Sequence, residues 1–186
     1  MVREVHSMPQ HTSFCVFSTA LGWMAAAGRD GIVSRLSIGH RSLLAAQRAI
    51  DVDLPLDARE ANWHPELKRR LCAFAAGARD DFRDIQIDIS YGTALQRRML
   101  ADCRRIDFGQ TLSYGELAER AGAPGAARAA GSCLAKNRVA IIIPCHRVIA
   151  SGGRIGGFTA GGGVAFKRRL LALEGASFAP RAKEHG

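Results

Sequence analysis

The chain has 186 residues, enough to bury a sizeable core as one domain or as two small ones. Its composition is ordinary for a globular protein, and the net charge of +9 is confined to one half: residues 1–90 hold eleven Lys/Arg and eleven Asp/Glu, residues 91–186 fifteen and six. No apolar run approaches the roughly 20 residues that span a bilayer and Met1–Gln10 lacks the apolar stretch of a secretory signal, so a cytoplasmic protein with no membrane partner is expected.

Residues 12–38 read as a β-hairpin, with Ser13–Phe17 leading in and apolar runs at Trp23–Ala27 and Ile32–Ile38 flanking Arg29-Asp30-Gly31, since Asp-Gly between apolar runs is a strong turn signal. Helical spacing follows at Ser42–Ile50 and at His64–Ala76, where Leu67, Leu71 and Phe74 share a face. Ile85–Ile89 alternates strictly, as a half-buried strand does. Residues 1–90 are thus expected to form a small α/β scaffold domain without evident chemistry.

Residues 91–186 are expected to form a second domain. Leu95, Met99, Leu100, Cys103 and Ile106 recur at helical spacing with Arg97, Arg98, Arg104 and Arg105 facing away. Ser113-Tyr114-Gly115-Glu116 is a capping-box pattern that starts a second helix, with Tyr114, Leu117, Ala118 and Ala121 inward. A Gly/Pro turn at 121–125 separates it from a third, Ala126 to about Lys136, making a helix-turn-helix candidate. Arg128 is the only long side chain on that helix before Lys136. Such a helix can approach a nucleic-acid backbone; equally, it can be an alanine-rich core helix carrying one surface Arg.

After Asn137-Arg138, Ile141-Ile142-Ile143 reads as a buried strand stopped by Pro144, leaving Cys145 where the chain leaves the core. Cys145 is either a small buried hydrophobe or a nucleophile supported by His146, directly or through one water. Glu174, in the last turn of a helix over Val164–Glu174 and just before Gly175, opposes the helix macrodipole; it is either a partner for His146 or an exposed helix-end carboxylate. The glycines at 152–163 match no nucleotide-binding fingerprint and suit the wall of a pocket for a flat ligand. The tail 177–186 reads as polar and frayed. Five cysteines (Cys15, Cys72, Cys103, Cys133, Cys145) without a CxxC pair argue against a disulfide framework and a four-thiolate zinc site. A zinc set of His6, His11 and Cys15 has loose spacing; neither metal nor cofactor is expected. A basic half carrying a reactive thiol fits a polyanionic partner or a merely basic surface.

Pro144-Cys145-His146-Arg147-Val148, with Asn137 and Ile141–Ile143 before it and Leu170–Gly175 after it, resembles the O6-alkylguanine-DNA alkyltransferases, also called methylated-DNA–protein-cysteine methyltransferases. The likeness extends through Ser113–Ala118 and Ala127-Arg128-Ala129, and loosely to Thr19–Trp23. It implies an N-terminal ribonuclease-H-like α/β domain and a mainly α, winged or helix-turn-helix C-terminal domain on the minor groove of double-stranded DNA. It implies a monomer that flips an alkylated base and is used once, acting on O6-alkylguanine and on O4-alkylthymine. Cys145 would be the methyl acceptor, His146 its base through a bound water, Glu174 the group orienting His146, and Asn137 a brace. Tyr114 would rotate the target phosphate and bond the purine; Arg128 would fill the vacated stack, with Ala127, Ala129 and Gly131 against DNA. Val148, Phe158 and Thr159 would line the base pocket. The chain departs from the family pattern at Leu95-Gln96 with Met99-Leu100, at Asp107-Phe108-Gly109 and at Phe158, changes of packing and pocket width. A non-catalytic sensor of alkylated DNA shares this architecture but replaces the cysteine, so Cys145 argues against it. A Cys-His-Glu hydrolase or a plain regulator leaves either the basic helix pair or Pro-Cys-His-Arg unexplained.

Overall fold

In the computed structural model, which describes residues 11–52 and 54–178, the N-terminal apolar runs form a three-stranded antiparallel meander: β1 (Ser13–Thr19), β2 (Gly22–Arg29) and β3 (Ile32–His40). Asp30 and Gly31 both take positive φ, 53° and 78°, as a tight two-residue hairpin turn requires. The segment read as a lead-in is a full strand, paired from Ser13 against Gly28 to Thr19 against Gly22. The parallel strand β4 (Arg59–Glu60) completes a sheet of order β3-β2-β1-β4. Side chains alternate across this sheet. Ala25 and Ala27 pack with Ala46 and Ile50 of α1 (Leu43–Asp51), while Met24 and Ala26 join the main core with Leu67, Leu71 and Phe74 of α2 (Pro65–Ala75). Both helices lie where the spacing places them and are capped by Ser42 and His64, whose side chains accept from the Ala45 and Leu67 amides.

The alternating segment Ile85–Ile89 is not a strand. It touches the outer edge of β3 at one bridge, Val33 with Ile87, where the Val33 amide donates to Gln86 and Asp88 donates to Val33, both at 2.9 Å. Beyond that bridge the edge of β3 is taken by another segment, the Leu36 amide donating to the Arg138 carbonyl at 2.7 Å, while the carbonyls of Phe82, Arg83 and Ile85 accept from the Arg104 guanidinium. Arg104 therefore does not face away from the core as its spacing predicts; it ties this loop to α3 (Ala94–Arg104).

Helices α3, α4 (Tyr114–Arg120) and α5 (Ala127–Leu134) follow the sequence closely. Thr93 with Gln96 and Ser113 with Glu116 are complete capping boxes. Leu117, Ala118 and Ala121 are buried as expected, whereas Tyr114 is half-buried. Two short parallel strands, β5 (Leu112–Ser113) and β6 (Val148–Ile149), join the start of α4 to the segment after Cys145. The last helix, α6 (Gly163–Leu173), ends in a Schellman motif, with Gly175 at φ 65°, its amide donating to Ala172 and the Ala176 amide to Leu171.

The apolar run before Cys145 is a turn rather than a strand. Ile141 takes φ 72°, the Ile143 amide donates back to Val139 at 2.9 Å, and the run bridges only to itself (Ala140 with Ile143) and to β3 (Leu36 with Val139). Consecutive isoleucines report burial on every side, and a turn enclosed between β3, α3 and α5 needs that as much as a central strand does. A β-branched residue at positive φ persists only where its surroundings over-determine it.

Arg104 and Arg105 give opposite expectations. Arg104→Ala removes a charged donor from three carbonyls and is expected to cost about 2–3 kcal/mol, while loss of the exposed Arg105 side chain, which pairs with Asp102, costs less than about 0.5 kcal/mol. Urea unfolding of both variants checks this, and equal losses would contradict it.

Candidate active site

The buried turn delivers Cys145 into a one-turn 3-10 segment, Cys145–Arg147. Asn137 holds the turn from inside. Its Nδ2 donates to the Ile143 carbonyl at 3.0 Å and to Cys145 Sγ at 3.2 Å, while its Oδ1 accepts from the Val139 amide at 3.1 Å. The Cys145 amide is fixed by the Ile143 carbonyl at 2.8 Å. Burial pushes the thiol above its ordinary pKa, opposed by the Asn137 amide, Lys167 and the backbone amides of Cys145 and His146. The resting thiol is therefore protonated, with donors already placed for the thiolate.

Both residues after Cys145 face Glu174, the C-cap of α6. His146 Nε2 lies 2.9 Å from Glu174 Oε1, and Arg147 makes a two-pronged contact, Nε to Oε2 and Nη2 to Oε1, each at 2.8 Å. The Gly109 amide donates to Oε2 at 3.3 Å, and Arg147 Nη1 donates to the Ile106 carbonyl at 2.6 Å. All three side chains are buried. Burial pushes the Glu174 carboxyl up, but hydrogen bonds from His146 and Arg147 outweigh it and bring the pKa to about 2. Burial holds His146 below its ordinary value despite Glu174, so the ring is neutral. With Nε2 donating to the carboxylate, Nδ1 is left as the acceptor, and it is buried without a hydrogen-bond partner. No direct hydrogen bond joins His146 to the Cys145 sulfur among the described residues.

A cavity of about 550 Å³ opens on Cys145, lined by Tyr114 of α4, by Ala127, Arg128 and Gly131 of α5, and by Phe158 and Thr159. Cys145 is only 8% exposed, so this wall controls its access. Tyr114 donates its hydroxyl to the Gly157 carbonyl at 3.3 Å, and Thr159 Oγ1 donates to the Ala135 carbonyl at 3.2 Å. Gly156, at φ 70°, sits so close that a Cβ would lie 2.9 Å from the Tyr114 ring. Ala129, expected against DNA rather than in the pocket, is exposed on α5. One expected lining residue is elsewhere: Val148 is fully buried in β6, where it takes part through its carbonyl.

That carbonyl accepts from Lys167, a residue the sequence reading passed over. Lys167 Nζ donates to Val148 at 2.6 Å and to Gly157 at 3.2 Å, and lies 5.6 Å from the Tyr114 ring centre. Burial lowers its pKa to about 8. Its signal was available only as one cation on the apolar side of α6, between Phe166 and Leu170. Of the residues offered for zinc, His11 bonds Asp57 at 3.0 Å and Cys15 is buried in the core, while His6 lies outside the described residues, as do 179–186 of the tail. Among the described residues no group of three or more His, Cys, Asp or Glu could hold a metal, and no helix is long and apolar enough to cross a membrane.

The Glu174 cluster predicts the acid limb of stability. A carboxyl lowered from 4.5 to about 2 contributes stability that is present above 4.5 and lost as pH falls toward 2; the neutral buried His146 adds a loss in the same direction below 6.5. Between about pH 5 and pH 3 the urea midpoint should fall more steeply in the wild type than in Glu174→Gln, although the variant is less stable at neutral pH. Parallel curves would contradict this.

Residues 94–176 match the family described as the DNA-binding domain of 6-O-methylguanine DNA methyltransferase. A methylated-DNA–protein-cysteine methyltransferase of Mycolicibacterium paratuberculosis is 37% identical over 160 residues, covering 83% of this chain and 87% of its own length. The Mycobacterium leprae protein of that name is 41% identical over 73% of this chain and 82% of its own. A crystal structure of the Mycobacterium tuberculosis protein OGT in complex with DNA superposes with TM-score 0.73 at 32% identity, over 88% of this chain and 92% of that one. With the cysteine, histidine, glutamate and asparagine of that family's motif assembled as described, the chain belongs to the methylated-DNA–protein-cysteine methyltransferase family.

Proposed function

We propose that this chain repairs alkylated DNA by direct reversal, as a methylated-DNA–protein-cysteine S-methyltransferase in which Cys145 takes the alkyl group from O6-alkylguanine, and from O4-alkylthymine, in duplex DNA. The observation that carries this reading is a nearly buried thiol reached through a mostly apolar cavity of about 550 Å³, one wall of which is the small-sided helix α5 bearing Arg128. A base stacked in a duplex cannot enter such a cavity, so the lesion is flipped out at a cost of a few kcal/mol. Arg128 fills the gap, and Ala127, Ala129 and Gly131 let α5 approach the minor groove. The net charge of +9 grips phosphates without reading sequence. In this reading residues 1–90 are a ribonuclease-H-like scaffold, residues 91–186 a winged helix-turn-helix domain, and the working unit is a monomer.

The chemistry assigned to these residues is a single displacement. The thiol proton passes by way of one water to His146 Nδ1, which Glu174 holds as an acceptor. The sulfur forms a bond to the alkyl carbon as the carbon–O6 bond breaks. The electron pair is left on guanine, which takes a proton from the Tyr114 phenol; the proton on His146 replaces it. The net change moves one alkyl group to sulfur and one proton to guanine. The product thioether is a poor leaving group, so each chain acts once. A sensor that binds alkylated DNA without transfer is disfavoured by the cysteine at 145.

Cys145→Ser is expected to keep affinity for an O6-methylguanine duplex and lose all transfer. Arg128→Ala is expected to slow transfer from duplex at least tenfold while leaving transfer from the free base O6-benzylguanine within about twofold. Equal losses on duplex and free base would count against the intercalating role.

A further inference from the structure

The loop after α3, residues 105–109, is held from two directions. Toward the active site, the Gly109 amide donates to Glu174 Oε2, the Ile106 carbonyl accepts from Arg147, and the Arg147 guanidinium lies over the Phe108 ring, 5.7 Å from its centre. The fit is close, since a Cβ on Gly109 would stand 2.9 Å from the Glu174 carbonyl oxygen. From the other direction the loop is held by residues 1–90. Arg83 Nη2 donates to the Arg105 carbonyl and to Asp107 Oδ1, each at 2.8 Å. Phe74 of α2 meets the Phe108 ring nearly perpendicularly, with centres 6.2 Å apart, and the Arg79 guanidinium lies over the same ring at 5.6 Å.

We infer that Phe108 is a positioning residue for alkyl transfer, and that through Phe108 and Arg83 the N-terminal half sets the geometry of the His146–Glu174 pair. The inference rests on the repair reading above and gives residues 1–90 a part in the reaction beyond that of a scaffold. Phe108 does not line the cavity on Cys145, so its effect must pass through Arg147 and Glu174.

The path is short and each step is directional. The plane of the Glu174 carboxylate is set by the two prongs of Arg147, and the plane of the Arg147 guanidinium by the Ile106 carbonyl and the Phe108 ring. The imidazole follows the carboxylate, because His146 Nε2 is bonded to Glu174 Oε1. An aliphatic side chain at 108 would leave the guanidinium free to tilt, and the carboxylate and imidazole would tilt with it. A misplacement of about 1 Å in such a group costs up to about a hundredfold in rate. The outer anchors can transmit this order because their own segment is fixed: Arg70 bonds Asp80 and Asp84 at 2.6–2.8 Å, and Arg104 donates to the carbonyls of Phe82, Arg83 and Ile85.

The test follows single-turnover methyl transfer from an O6-methylguanine duplex to Cys145, read by mass, in the full chain and in Phe108→Leu, Phe108→Tyr and Arg83→Gln. Loss of fold lowers the plateau of adduct, whereas loss of position lowers the rate constant at saturating duplex. Phe108→Leu should lower that constant about tenfold and Arg83→Gln at least threefold, with the half-saturating duplex concentration within about twofold of wild type. Phe108→Tyr, which keeps the ring, should keep the constant within about twofold. A constant unchanged in Phe108→Leu, or lowered equally in Phe108→Tyr, overturns the role of the ring. An unchanged constant in Arg83→Gln, whose altered side chain is partly exposed, overturns the part given to residues 1–90 and decides the matter alone if Phe108→Leu does not fold. A wild type that transfers no methyl group to Cys145 overturns the repair reading instead.

Discussion

The Glu174 carboxylate is the point on which the reactive region depends. It sits at the end of α6, where the helix macrodipole disfavours a negative charge, and is kept there by His146, both prongs of Arg147 and the Gly109 amide. Those contacts join three parts of the chain at one side chain: the 145–147 turn, the end of α6 and the loop after α3, held through the Gly109 amide and, by way of Arg147, the Ile106 carbonyl. A buried pair of this kind need not add net stability relative to apolar residues of the same shape, but breaking it costs about 3–5 kcal/mol because a charge is left uncompensated. What it provides is geometry. The imidazole is locked neutral with Nδ1 as acceptor, beside a cysteine whose thiolate already has donors.

Asn137 does for the thiol what Glu174 does for the imidazole. Its one amide satisfies both ends of the turn and the sulfur, so the orientation of Cys145 is set by the same contacts that close a turn with Ile141 at positive φ. Lys167 adds a third anchor, linking α6 to β6 and to the loop that carries Phe158 and Thr159. A rigid thiol site thus faces a wall of glycine-rich loop and small-sided helix, which is where access is decided.

Local signals in the sequence were dependable where a single interaction sets the structure. The Asp30-Gly31 turn, the Ser113 cap and Gly175 each act within four residues, and the structure has them where they were read. Periodicity failed where distant partners decide. Ile85–Ile89 alternates like a strand, yet the β3 edge it would run along is taken at Leu36 by the Arg138–Val139 segment from far along the chain. The isoleucine run signals burial but not conformation, and its fold into a turn comes from Asn137 and β3. At the site, Cys145, His146 and Glu174 drew notice because their residue types are chemically unusual in context, whereas Asn137 was singled out only by the family resemblance. Lys167 was not noticed, because a buried lysine looks like a surface one until the carbonyls around it are known. The 1–90 and 91–186 halves, distinct in charge, share one core in which Phe17 and Leu36 meet Leu100 and Ile142, which charge could not reveal.

The central claim is that one thiol, held by Asn137 and served by the His146–Glu174 pair, accepts one alkyl group. Incubating the chain with a several-fold excess of O6-methylguanine duplex, then measuring intact and peptide masses against guanine restored, tests it directly. The account predicts a plateau at one methyl per chain, all of it on Cys145, with one guanine recovered per methyl. Methyl on another cysteine, or guanine released beyond one equivalent, would contradict it.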